Sequence, residues 1–179
     1  MPNINLHYVD ELISVRQAQH GGGRGAPPIL YGQRVGASIN RSCIVMLSAL
    51  LQAYVEEVFK DAAQRRFPDL AADPAAFDRY WNQMKNWGNP NGGNIKVLFL
   101  KLGVPDVLTG LSWQRTTEAE IQSKLDKLNQ IRNKIAHGAA HITVNNQPYS
   151  LSLAHVCAFR DFAHNFGQRF EHHVEGWIP

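Results

Sequence analysis

The sequence predicts an all-α bundle, on three observations. Apolar residues recur at three- and four-residue intervals over 34–66, 118–137 and 152–174, the spacing that lines one face of an α-helix. β-prone residues gather in one short piece, Ile142-Thr143-Val144. At 179 residues with 44% hydrophobic content, the chain suits one domain over 1–179 with a single core.

The elements follow in order. A short amphipathic helix over 4–19 puts Leu6, Val9, Leu12 and Ile13 on one face, and Gly21-Gly22-Gly23 ends it. Residues 20–32 hold five glycines and two prolines around Arg24 and read as a flexible loop. A phosphate-cradling glycine loop is the sharper alternative, but no strand precedes it and no Gly-Lys-Ser/Thr follows. The longest helix, 34–66, carries Ile39, Cys43, Met46, Leu47, Leu50, Tyr54 and Val58 at helical spacing, and Pro68 stops it. Measured from Cys43 on a helical wheel, Asn40 falls at about 60° and Glu57 at about 320°, both beside the apolar face. Glu56 falls at about 220°, towards solvent.

Residues 69–93 are a polar connector with a helix at 74–86, Pro74 in its first turn. Trp81 and Trp87 bracket Lys85, a pattern that either covers a core or stacks bases beside a phosphate-binding cation. Asn89-Pro90-Asn91-Gly92-Gly93 forms a tight turn, and Asn94 is placed to cap a helix over 95–102. Residues 106–116 link to Thr117-Glu118-Ala119-Glu120, a capping box that opens the helix over 118–137. Asn145-Asn146 allows a small hairpin between 142–144 and 149–151. In the last helix, 152–174, Val156, Phe159, Ala163, Phe166, Phe170 and Val174 form a core stripe, and His172-His173 reads as a solvated final turn.

The net charge of +3 permits a polyanionic partner without demanding one. Cys43 and Cys157 stand alone in apolar runs, with neither zinc nor disulfide spacing, which suits a reducing compartment. The start of the chain lacks a basic-then-apolar leader, and the longest apolar run, 43–51, is short for a membrane span; a cytoplasmic protein without membrane contact is expected. No cofactor and no metal is expected.

The chemistry concentrates at the end of the 118–137 helix. Ile121, Leu125, Leu128 and Ile135 make one stripe, and Arg132 falls inside it, about 20° from Ile121. A buried arginine needs an anionic or strongly accepting neighbour. Glu57 is the first candidate and Asn40 another polar neighbour. His137 precedes Gly138, which suits the left-handed residue that closes a helix. One reading is structural: the arginine snorkels and the histidine complements the helix dipole. The other pairs a fixed cation with a titratable group for phosphoryl chemistry. A zinc pair of His137 and His141 is disfavoured, because Gly138 interrupts the helix and no glutamate follows His137.

Arg132-Asn133-Lys134-Ile135-Ala136-His137-Gly138 resembles the signature of HEPN domains: an arginine followed by a polar residue, a short spacer and a histidine. Upstream, Trp87-Gly88-Asn89-Pro90, Asn94-Ile95 and Leu98-Phe99-Leu100-Lys101-Leu102-Gly103-Val104 are similar to the layout of the RiboL-PSP-HEPN branch, bacterial proteins often tied to defence or toxin–antitoxin loci. The resemblance spans roughly residues 35 to 175. It implies a bundle of long antiparallel helices and a metal-independent endoribonuclease. His137 would be the general acid or base, Arg132 would hold the phosphate, and Asn133 would orient the phosphate or the histidine. The product would be a 2′,3′-cyclic phosphate. Beside the resemblance, the residues themselves offer Lys134, Trp87 and Lys85 as candidate RNA contacts, and Glu57 and Asn40, from their wheel positions, as candidate supports of the site. A homodimer would bring two motifs together, and an antitoxin or defence protein would be a further partner. The same resemblance leaves open a non-catalytic module that binds nucleotides or RNA or engages a partner, with Arg132 only docking a phosphate.

Overall fold

In the computed structural model, residues 3–20, 27–30 and 32–178 are described. Among them, helices carry nearly all the regular structure: α1 (His7–His20), α2 (Ala37–Arg66), α3 (Pro68–Ala71), α4 (Pro74–Asn82), α5 (Gly92–Leu100), α6 (Glu118–Ala136) and α7 (Leu153–Glu175). Two antiparallel pairs complete it, β1 (Ile29–Leu30) with β2 (Gln33–Arg34) and β3 (Thr143–Val144) with β4 (Gln147–Pro148). Residues 21–26 and 31 of the expected loop lie outside the described residues; the β1–β2 pair was not expected there.

α2 is the hub, packing against α1, α6 and α7. Its buried positions run from Cys43, Leu47 and Tyr54 round to Ile44, Val55 and Phe59. With Ala63 included, the buried positions cover an arc of about 200° on the wheel, far wider than a one-sided stripe, because neighbours cover α2 on several sides. By length and composition α2 is also long and apolar enough to cross a membrane. Half of its most apolar window is buried, against the other helices. The core stripe of α7 is buried as its spacing predicts, with Phe162 added. Phe166 and Phe170 stack at 4.7 Å, and Phe99 meets Phe170 edge-on at 5.5 Å. Tyr54 OH donates to the Gly167 carbonyl at 2.7 Å and accepts the Glu171 N–H at 3.2 Å, bolting α2 to α7.

Four details differ from expectation. α4 ends at Asn82, with Asp73 accepting the Ala75 and Ala76 N–H groups as its cap. α5 starts at Gly92, capped by Asn91 through the Asn94 N–H at 2.8 Å, so Asn94 lies inside the helix. The β3–β4 turn needs only Asn145 (φ 49°) and Asn146 (φ 62°), both left-handed, so the strands close at 147–148 rather than 149–151. His173 is half-buried, and burial holds its imidazole below the usual histidine range.

Candidate active site

α6 begins with the capping box its sequence encodes. Thr117 accepts the Glu120 N–H, and Glu120 accepts the Thr117 N–H at 2.7 Å. It ends equally locally. His137 caps the helix, and Gly138 follows in the left-handed region at φ 69°. The Gly138 N–H bonds to the Ile135 carbonyl and the Ala139 N–H to the Lys134 carbonyl, each at 3.0 Å. These are the two reverse bonds of a Schellman closure, which satisfies carbonyls the helix leaves open. This closure holds His137 exposed at the helix tip.

Arg132 is half-buried, one turn inside the tip. Among the described residues, no carboxylate forms an ion pair or hydrogen bond with it. Glu57 is exposed and makes no hydrogen bond or ion pair among the described residues, correcting its place as the candidate partner. At about 320° from Cys43 it lies outside the buried arc of α2, which opens at Cys43 and runs the other way. Glu56, expected in solvent, is half-buried and accepts the Trp87 Nε1–H at 3.1 Å and Gln52 Nε2 at 3.2 Å. Arg132 Nη1 instead donates to the amide oxygen of its neighbour Asn133, at 3.3 Å. Among the described residues the guanidinium therefore has an orienting partner but no neutralising one, one turn from His137.

Asn133 is held in turn from outside its helix. Asn89 Nδ2 donates to Asn133 Oδ1 at 3.0 Å, and Asn94 Nδ2 donates to the Asn89 carbonyl at 2.8 Å. The Gly92 N–H bonds to Asp126 Oδ1 at 3.1 Å, so the whole 88–94 turn is docked on α6. Gly88 makes the approach possible. It sits at φ 101°, and a Cβ there would come within 2.7 Å of Asn94 Nδ2. Asn89 was not singled out for a role by sequence reasoning; the signal available was its place in the Trp-Gly-Asn-Pro turn.

The other expected residues are dispersed. Lys134 is exposed next to the motif, on the rim of a shallow cavity of about 270 Å³ shared with Gln130, Asn145 and Asn146. Lys85 is exposed, whereas Trp87 packs on the core with its indole N–H bound by Glu56. Asn40 is buried at the start of α2 and donates to the Leu151 carbonyl at 3.1 Å, fixing the segment after β4 rather than touching Arg132. Burial pushes the Cys43 thiol up to about 11, so it offers no thiolate nucleophile. No group of three or more His, Cys, Asp or Glu side chains among the described residues is arranged to hold a metal.

Fold and site together define an all-α domain with an Arg–x4–His pair at the tip of a core helix, α6, packed on α2. The chain belongs to the RiboL-PSP-HEPN family, whose model matches residues 7–176. No curated protein and no solved structure matches it.

Proposed function

We propose that this protein is a metal-independent endoribonuclease of toxin or phage-defence type, working in the cytoplasm as a homodimer. The observation that carries the reading is the unneutralised Arg132 guanidinium, oriented by Asn133, on the same helix end as the exposed His137. His137 takes the proton of a ribose 2′-OH as that oxygen attacks phosphorus. The bond to the 5′-oxygen breaks, and the leaving oxygen takes a proton from an imidazolium. Arg132 stabilises charge on the non-bridging oxygens. The products are a 2′,3′-cyclic phosphate and a 5′-hydroxyl. One Arg–His pair per chain offers a single motif imidazole, which cannot be acid and base at once, so the second copy of His137 supplies the other proton transfer, and a two-fold dimer is the simplest way to bring it there.

The test is cleavage of RNA by purified protein in excess EDTA, wild type beside His137→Ala. Chelator-resistant cleavage that leaves cyclic-phosphate ends and disappears in the variant is expected. A fully active His137→Ala protein overturns the mechanism.

A further inference from the structure

α2 begins in an unusual electrostatic setting. Its N-cap is Gly36, left-handed at φ 79°, which brings no side-chain cap, and its first turn contains no acidic residue. The first-turn N–H groups of a helix are the positive end of its dipole and have no intrahelical partners. Three arginines gather there instead of an acid. Arg16, from the far end of α1, is only 4% exposed and lies directly against Gly36: a Cβ built on that glycine would be 2.6 Å from the guanidinium carbon. Its Nε and Nη1 are buried with no hydrogen-bond partner among the described residues. Arg34 gives Nη1 to the Pro27 carbonyl at 3.2 Å, and Arg41 gives Nη2 to the Ala140 carbonyl at 2.8 Å. None of the three forms an ion pair among the described residues.

A buried cation, two further guanidiniums and a helix N-terminus are all of one sign, so each makes the others less favourable until an anion joins them. The structure has room for one. A groove of about 630 Å³ opens at this point, lined by Arg34, Ala37, Arg41, His141 and Tyr149. Its walls are fixed by polar contacts already described: Arg41 holds Ala140, and Asn40 holds Leu151. Ala140 follows His137 by three residues, which places the groove's edge no more than about 11 Å from the His137 Cα.

We propose that this groove is a second phosphate site, where Arg34, Arg41 and the first-turn amides of α2 hold a backbone phosphate of the RNA strand away from the cleaved linkage. Arg16 adds buried positive charge at Gly36, one residue before the groove-lining Ala37. The proposal rests on the ribonuclease reading for the identity of the strand. It assigns no part in the proton transfers to these residues.

The test uses the full chain and a 2′-O-methyl RNA oligonucleotide, which lacks the attacking hydroxyl and so reports binding alone. Affinity is measured across a salt series for wild type, Arg34→Ala and Ser38→Asp. Ser38 is exposed in the first turn of α2, next to the groove-lining Ala37, so an aspartate there adds a carboxylate beside the first-turn amides that would hold the phosphate. Arg34→Ala is expected to weaken binding about tenfold at low salt and to reduce the slope of log K against log salt by about 0.7, one single-strand phosphate. Ser38→Asp is expected to raise the melting temperature while weakening RNA binding, because the added anion stabilises the helix start and competes with the strand. A higher melting temperature with unchanged RNA affinity marks a simple helix cap and overturns the site. So does an Arg34→Ala protein whose affinity and slope match wild type. If unmodified RNA is still cleaved in those cases, the ribonuclease reading stands without the groove; if wild type binds no RNA at low salt, both fall.

Discussion

Asn89 donates its side-chain N–H to the same Asn133 oxygen that receives Arg132, at 3.0 and 3.3 Å respectively. A turn 44 residues upstream thereby sets the angle of the one side chain that orients the guanidinium. Asn89→Ala leaves Asn133 without its outer donor. The expected result is a loss of about 1 kcal/mol of stability. With it should come a fall in kcat of about tenfold, larger than any change in KM, because misorientation affects the transition state more than docking. Steady-state cleavage kinetics with a thermal melt check both. An unchanged kcat would show that Asn133 needs no outside help.

Two glycines of the same turn should answer differently to alanine. Gly88→Ala forces a Cβ at φ 101° to within 2.7 Å of Asn94 Nδ2, and should cost about 1–3 kcal/mol. Gly92 begins α5, and its added Cβ would meet Gln122 at an ordinary 3.5 Å. Gly92→Ala should therefore be neutral or stabilise by up to about 1 kcal/mol. Urea unfolding of the two variants side by side measures the contrast.

Arginine geometry, and not charge alone, is expected to matter near His137. Arg132→Lys keeps the cation but loses the planar fork that can grip Asn133 and a phosphate together. We expect it to lose cleavage by at least about a hundredfold, nearly as much as Arg132→Ala. His137→Ala should lose activity by about a hundred- to ten-thousandfold, the range for one proton-transfer group. Because His137 is exposed at the helix tip, its melting temperature should stay close to wild type, within about 0.5 kcal/mol of stability. A rescue of cleavage by lysine would show that Arg132 acts as a point charge.

Acid stability should track the tie between α1 and α7. Arg160 donates Nε and Nη2 to the two Asp10 oxygens at 2.7 and 2.8 Å, and that bond holds the carboxyl below the usual aspartate range. A carboxylate whose folded value is depressed stabilises the fold above its unfolded value, near pH 4, and that contribution disappears as pH falls further. Both groups are partly exposed, so about 1 kcal/mol is the expected size. Asp10→Asn should be less stable than wild type at pH 7 and converge with it near pH 2–3. Parallel melts across that range give the answer, and a gap that persists in acid would assign the loss to packing instead.

The capping box of α6, its close at Gly138, the stripe of α7 and the Arg132–His137 spacing were all legible in the residues, because each depends on neighbours within a turn or two of chain. So was the all-α class, which follows from helical periodicity sustained over three long stretches. The partners of the site residues were not. A wheel centred on Cys43 ranks Glu57 above Glu56, and packing on several sides of α2 reverses that order, because the buried arc runs from Cys43 through about 200° to Ala63 and ends within about 20° of Glu56. Asn89 met Asn133, and Arg16 met Gly36, only when separate segments packed together. Short-range backbone and side-chain preferences thus decided where the helices start, stop and carry the candidate site residues. Which side chains touch those groups was decided by burial, since apolar area must be covered from whichever directions other helices arrive, and no period in a single helix records those directions.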